Sequence, residues 1–135
     1  MAIQYSVAVR NAKLDAVETT MGASPILRIY SGAAPANCAA SATGTLIAEM
    51  ALPSDFMQDA ASGVKEKSGT WEDLNANAGA VAGYFRIWDN AGTTCHKQGT
   101  VTETGMGGDM EVDNTDINVN QKVTVTSFSI TAGNA

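Results

Sequence analysis

The stretch Leu27-Arg28-Ile29-Tyr30-Ser31-Gly32 returns later in the chain, with similar residue types, as Phe85-Arg86-Ile87-Trp88-Asp89-Asn90. Each copy contains an apolar residue, arginine, isoleucine, an aromatic residue and then turn residues, and a cysteine follows each copy. Because side chains alternate between the two faces of a strand, the apolar positions predict a core face, and the arginine and aromatic positions predict a shared second face. The repeat therefore predicts two similar strands of a β-sandwich; a chance similarity between two ordinary strands is the alternative.

The composition points to a mainly β fold. The chain has 135 residues, of which 44% are hydrophobic, only 6% are aromatic and 13 are glycines. This length suits one domain, 1–135, that buries roughly two thirds of the surface its unfolded chain exposes. A mixture rich in Gly, Ala, Thr, Ser and Asn favours short strands and frequent turns. We expect an antiparallel β-sandwich with one N-terminal helix.

The N-terminal segment 1–22 carries the one helix that the sequence predicts. Ser6 is a candidate N-cap, and Gly22 is placed to end the helix. An alternative start at Asn11 would shorten the helix and leave residues 3–9 as a strand. The apolar positions recur at helical spacing; they are Val7, Leu14, Val17 and Met21.

About eight short strands are predicted after residue 25. The turn Asp89-Asn90-Ala91-Gly92 predicts a hairpin that pairs the strands on either side of it. In the last strand the apolar residues change parity, which predicts a β-bulge near Thr126 or Ser127, or a strand that passes from one sheet to the other. The 52–68 segment is a long connection. The predicted strands are 26–31, 44–50, 67–72, 83–89, 93–101, 109–113, 116–119 and 122–131.

The charge balance excludes several classes of partner. Eight Lys and Arg residues against 14 Asp and Glu residues give a net charge of −6, which disfavours binding to nucleic acid or to an anionic membrane surface. The first ten residues lack the apolar core of a secretion signal, so synthesis in a cytoplasm is expected. In that reducing compartment Cys38 and Cys95 are predicted to be free thiols, although they could pair if the repeated strands are neighbours.

The titratable residues do not form a recognisable catalytic or metal-binding motif. His96, the only histidine, adjoins Cys95, and neighbours on a strand point to opposite faces. The acidic stretch 109–116 begins like a calcium-binding loop but lacks the required glycine and glutamate, so it is expected to place acids on a solvent face over a core face. A carboxylate pair such as Glu49 with Glu103 remains open. We expect no enzyme activity, no cofactor and no small-molecule ligand.

Aromatic and arginine side chains are the better candidates for function. These residue types dominate the energetics of protein interfaces. The alternative is that the tryptophans fill the core and the arginines form surface ion pairs. The interface candidates are Arg28, Tyr30, Trp71, Arg86 and Trp88.

Three segments resemble a family of small tailed-bacteriophage virion proteins, the capsid cement or decoration proteins. They are the stretches 26–35, 83–89 and 123–134, and the resemblance spans nearly the whole chain. The resemblance implies a jelly-roll-like β-sandwich that associates as dimers on the outside of the icosahedral head. It brings no catalytic residues, and related short proteins serve in tails or fibres.

The resulting expectation is a virion structural protein on the capsid exterior, assembled in the host cytoplasm. Its partner would be the major capsid protein, whose neighbouring subunits it would cement. A two-fold homodimer is expected through the face of Arg28, Tyr30, Arg86 and Trp88. Segment 1–22 is expected to attach to a neighbour, with packing on its own sandwich as the alternative. The alternative function is a tail or head fibre module that binds a glycan or receptor through exposed aromatic residues.

Overall fold

A computed structural model of the chain describes residues 3–133. Residues 1–2 of the predicted N-terminal segment and residue 134 of the resembling C-terminal stretch lie outside this range. Within it the chain forms a curled, mostly antiparallel sheet of nine strands with one helix, which confirms the predicted mainly β sandwich. The elements are α1 (Val7–Met21), β1 (Ile26–Ser31), β2 (Leu46–Ala51), β3 (Val64–Glu66), β4 (Glu72–Asp73), β5 (Ala80–Trp88), β6 (Cys95–Glu103), β7 (Met110–Val112), β8 (Asp116–Ile117) and β9 (Val123–Thr131).

The two repeated segments are β1 and β5, and they pair directly with each other in antiparallel register. Arg28 lies opposite Arg86, and Leu27 lies opposite Ile87. Residues opposite each other in a ladder point to the same face, so the arginines share one face and the apolar positions share the other, as predicted. The apolar face forms the centre of the core; Leu27, Ile29, Phe85 and Ile87 are all fully buried.

The strand order along the sheet is β2-β1-β5-β6-β7-β9-β3, with β4 beside β9 and β8 beside β5. The predicted hairpin joins β5 to β6. The Asp89 carboxylate closes this turn by accepting hydrogen bonds from the backbone amides of Thr93 and Thr94, at 2.8 and 3.2 Å. The pairing of β6 with β7 is parallel and is the exception to the antiparallel pattern.

The predicted bulge in the last strand lies at Thr126. Glu111 pairs with Ser127, whereas the next residue, Val112, pairs with Val125, so Thr126 is the extra residue. The bulge returns Val125 and Phe128 to the same core although their sequence parity differs.

The prediction of a strand over 67–72 is wrong. Two short strands, β3 and β4, lie on either side of that segment, and each of them pairs with β9. Gly69 between them has a φ of 73°, a conformation that turns the chain and interrupts a strand. The sheet therefore has nine strands instead of about eight.

Helix α1 begins where the longer of the two alternatives places it. The Ser6 hydroxyl accepts a hydrogen bond from the backbone amide of Val9 at 3.2 Å, and Gly22 follows the last helical residue. Leu14 and Met21 are buried, but the predicted core position Val7 is half exposed. The prediction of a core position is therefore wrong at Val7, in the first turn, whereas Arg10 one turn later donates to the carbonyl of residue 132. No helix within residues 3–133 is long and apolar enough to cross a membrane.

A buried lysine fastens α1 to β3. The Lys65 side chain is 1% exposed, and its ammonium group lies 2.8 Å from Asp15 and 2.7 Å from Glu18. It also donates to the carbonyl of Gln58 at 2.8 Å. The helix therefore packs on its own sheet, which was the alternative prediction for segment 1–22.

Replacing Lys65 with methionine should lower the free energy of unfolding by about 2 kcal/mol, because two carboxylates and a carbonyl lose their shared donor. Urea unfolding followed by circular dichroism measures this change. Lys122→Met is the matched control, because it removes an ion pair from a side chain that is 56% exposed and should cost at most about 1 kcal/mol. Equal losses in the two variants would contradict a special role for the buried ammonium group.

The same ion pair defines a pH window. The hydrogen bond from Lys65 lowers the pKa of Asp15. Burial lowers the pKa of Lys65, but its hydrogen bonds to Asp15 and Glu18 outweigh burial and raise that pKa overall. Asp15 therefore adds stability that is lost as the pH falls below the ordinary value of 3.8, and Lys65 adds stability that is lost as the pH rises above 10.5.

Candidate functional site

The second face of β1, β5 and β6 is covered by the chain itself. The covering segment is the 32–45 connection between β1 and β2, which we call the cover segment. The Arg86 Nη2 donates to the carbonyl of Asn37 at 3.1 Å, and the Gln98 amide donates to the carbonyl of Pro35 at 2.6 Å. The Tyr84 hydroxyl donates to the carbonyl of Thr43 at 2.5 Å. Side chains from two strands thus hold the cover segment at several points.

Arg86 is a cation buried under this cover. Its side chain is fully buried, and its Nε donates to Gln98 at 3.1 Å. None of the ion pairs found within residues 3–133 includes Arg86. Its Nη1 is buried and has no hydrogen-bond partner in the described part of the chain. A buried charge without a counter-charge is costly, so the surroundings of Arg86 must compensate it in another way.

The ring of Trp88 supplies part of that compensation. The guanidinium carbon of Arg28 lies 5.2 Å from the ring centroid, and that of Arg86 lies 5.6 Å from it. Cations near an aromatic face gain more when they are desolvated, which favours Arg86 over the partly exposed Arg28. Arg28 also pairs with the Glu49 carboxylate at 2.6 Å. The indole nitrogen of Trp88 is buried without a hydrogen bond among residues 3–133.

A cleft of about 540 Å³ opens beside this cluster, and both cysteines line it. We call it the cysteine cleft. Cys95 lies opposite Trp88 in the ladder, so the two side chains share the covered face. Cys38 directly follows Asn37, whose carbonyl binds Arg86. The remaining lining residues are Ala39, Ala40, Ser41, Arg86, Trp88, Thr93 and Thr94.

The two thiols of the cleft are free and adjacent. Burial raises the pKa of the Cys95 thiol to about 11, and a hydrogen bond with the neighbouring Cys38 thiol contributes to the rise. The positive charge of Arg86 acts in the opposite direction and lowers that pKa. The Cys95 sulfur also lies 3.6 Å from the carbonyl of Lys97.

The interface candidates do not form the exposed face that the sequence predicts. Tyr30 is 6% exposed, and its ring stacks on Tyr84 with centroids 4.9 Å apart. Trp71 is 1% exposed and packs against the core ring of Phe128 at 5.4 Å. The expectation that these two aromatic residues are exposed is wrong, because Tyr30 is buried against Tyr84 and Trp71 is buried in the core. Of the candidate set, Arg28 and Trp88 keep partial exposure.

The remaining candidate groups have separate environments. Cys95 lines the cysteine cleft, whereas His96 lines a different cavity beside α1, so these neighbours point to opposite faces as predicted. The Glu49 carboxylate binds Arg28, whereas Glu103 accepts a hydrogen bond from Thr115 at 3.3 Å. Nothing in these contacts joins the two glutamates into an acid and base pair.

The acidic stretch 109–116 has the predicted alternation. Met110 and Val112 are fully buried, whereas the alternating acids Asp109 and Asp113 are exposed and Glu111 is half-buried. The Glu111 carboxylate accepts from two backbone amides of the turn that precedes β7. The backbone amide of Thr100 lowers the pKa of Asp109. Across residues 3–133 no group of three or more His, Cys, Asp or Glu residues is arranged to hold a metal ion.

Four exposed apolar side chains lie just before the helix and in its first turn. They are alternate residues of 3–9, which we call the N-terminal strip; its members and their exposed fractions are Ile3 74%, Tyr5 41%, Val7 50% and Val9 42%. The helical spacing of Val7 with Leu14 predicted a core face for Val7, so the sequence did not predict this strip. The signal that could have revealed it is the density of apolar residues from 3 to 9.

Comparison with protein-family models, with curated proteins and with solved structures found no match for this chain.

Proposed function

We propose that this protein is a virion structural protein that decorates and cements the outside of a tailed-phage capsid by binding neighbouring major capsid subunits. The resemblance of three segments to capsid cement proteins suggested this role, and the β-sandwich fold is compatible with it. The observation that carries the proposal is the N-terminal strip, because exposed apolar side chains concentrated in one short segment are typical of protein contact surfaces. In an icosahedral shell many copies attach together, so a small contact in each copy suffices.

The attachment surface is narrower than the whole of segment 1–22. Residues 10–21 are committed to the fold through Arg10, Leu14 and Lys65, whereas the N-terminal strip has side chains that are exposed. We therefore assign attachment to residues 3–9. Deleting residues 1–20 would remove Leu14 and the partners of Lys65 together, and could not separate attachment from folding.

Substitution on the strip tests the proposal. The triple variant Ile3→Ser, Val7→Ser, Val9→Ser should keep its unfolding transition within about 1 kcal/mol of wild type, because these side chains are exposed. It should bind undecorated capsids at least about tenfold more weakly, since each apolar group loses its burial in the contact. Co-sedimentation with capsids that lack the protein measures the affinity.

The matched control changes three exposed apolar residues elsewhere, Leu74→Ser, Val81→Ser and Val119→Ser, which are 61%, 61% and 58% exposed. This control should bind capsids like wild type. Equal weakening of both variants would mean a diffuse contact, and unchanged binding of the strip variant would contradict attachment through residues 3–9.

A homodimer remains part of the proposal, but the face that the sequence predicts for the dimer contact is largely covered in the structure. Tyr30 is buried against Tyr84, and Arg86 is buried beneath the cover segment. The outer edge of β2 is also partly occupied, since Ile47 and Glu49 bond to Asn77 and Asp73, so we assign the two-fold contact to the exposed residues of the 52–68 connection. The glycan-binding alternative depended on exposed aromatic side chains, and the burial of Tyr30 and Trp71 removes two of its three candidates.

A further inference from the structure

Cys38 and Cys95 come from separate parts of the fold and meet in the cysteine cleft. Cys38 belongs to the cover segment, and Cys95 is the first residue of β6. Cys95 is fixed by its pairing opposite Trp88. Cys38 is fixed through the preceding residue, Asn37, whose carbonyl accepts from Arg86 and whose side chain accepts from the backbone of the next turn at 3.0 Å.

Two independent features make this cleft unlike an ordinary surface depression. The first is the contact between two thiols that are both partly accessible. The second is the fully buried Arg86, whose Nη1 has no hydrogen-bond partner among residues 3–133 and whose charge favours a thiolate at Cys95. The charge of Arg86 opposes burial, which together with the contact to Cys38 raises the pKa of Cys95 overall to about 11.

We propose that Cys38 and Cys95 are a site of reversible oxidation, at which an intramolecular disulfide fastens the cover segment to β6. The co-reactant is a small-molecule disulfide such as glutathione disulfide. The Cys38 thiolate attacks one sulfur of that disulfide, its S–S bond breaks, and one glutathione thiolate leaves. The Cys95 thiolate then attacks the Cys38 sulfur of the mixed disulfide and releases the second glutathione.

The exchange balances without any other reagent. Two protein thiols are oxidised to one disulfide, and one glutathione disulfide is reduced to two thiols. The two protons lost from the cysteines are taken up by the two glutathione thiolates. The first attack is assigned to Cys38, because the raised pKa of Cys95, about 11, disfavours ionisation of the Cys95 thiol.

The disulfide would act on the cover segment, which a few hydrogen bonds now hold against the sheet. The ring it closes runs from residue 38 to residue 95 and contains β2, β3, β4 and β5. Closing so long a ring restricts the unfolded chain strongly, so the oxidised protein should melt about 10 °C higher than the reduced protein.

Treating the folded protein with glutathione disulfide tests the proposal. Intact-mass spectrometry should show a product lighter than the reduced chain by two hydrogen atoms, and peptide mapping should join Cys38 to Cys95. Differential scanning calorimetry should show the higher melting temperature, and dithiothreitol should reverse both changes. The Cys95→Ser variant should stop at a stable mixed disulfide between Cys38 and glutathione, with no comparable rise in melting temperature.

Several results would overturn the proposal. Wild-type protein that ends as a doubly glutathionylated chain would show that the thiols cannot reach each other. A disulfide that joins two chains, or that forms only after unfolding in urea, would do the same. An internal disulfide that leaves the melting temperature unchanged would show that it does not fasten the cover segment.

Discussion

Replacing Trp71 with alanine should lower the free energy of unfolding by about 3–5 kcal/mol, because it empties the space of a large core ring. Trp71 is 1% exposed and lies between Phe56 and Phe128, at ring distances of 6.2 and 5.4 Å. Its indole nitrogen also donates to the carbonyl of Ser68 at 3.0 Å. Urea unfolding followed by fluorescence of the remaining Trp88 and by circular dichroism measures the loss.

The control for this prediction is Trp71→Phe. Phenylalanine keeps an aromatic ring in the core but loses the donor to Ser68, so this variant should lose about half as much stability as the alanine variant. If Trp71→Ala unfolds like wild type yet fails to bind capsids, Trp71 is an interface residue and its assignment to the core is wrong.

Replacing Gly83 with alanine should destabilise the fold by about 3 kcal/mol or more, because the new methyl group would overlap backbone atoms. A Cβ at Gly83 would lie 1.9 Å from the carbonyl oxygen and 2.8 Å from the carbonyl carbon of Gly32. This crowding coincides with the register shift between Tyr30 and Ser31, where β1 leaves β5. Relief requires the two strands to move apart, and both carry the central core residues.

Gly133→Ala provides the control for a change of glycine to alanine, because a Cβ there meets nothing within 4 Å. Its unfolding free energy should stay within about 0.5 kcal/mol of wild type. Thermal unfolding of the two variants side by side measures the difference. A Gly83→Ala protein as stable as the control would mean that β1 and β5 do not approach this closely.

The sequence predicted the repeated strands, their shared faces and the hairpin because these follow from local alternation and turn chemistry. The bulge at Thr126 was predictable because a change in apolar parity within one strand has few structural solutions. These features depend on residues that are close in sequence. They also indicate which side of each repeated strand faces the core.

The burial of the candidate site was not predictable in the same way. Alternation places Arg86 and Tyr30 on the second face, but it does not say whether water or protein covers that face. The cover segment contacts it through backbone carbonyls at Pro35, Asn37 and Thr43, and carbonyls leave no signature in the sequence. The burial of Lys65 was also not predictable, since its partners Asp15 and Glu18 lie on a helix that is distant in sequence.

The pairing of β1 with β5 and of β3 with β9 has a consequence for the order in which the nascent chain becomes structured. Strand β1 can pair early with β2, but its second neighbour, β5, is synthesised much later, and β3 pairs with β9, the last strand of the sheet. Only β5 and β6 are joined by a tight turn that lets them pair as soon as they emerge. Long-range pairing of this kind folds slowly and leaves strand edges open in the meantime. The period between synthesis of β1 and synthesis of β9 is therefore when neighbouring nascent chains are most prone to pair with one another.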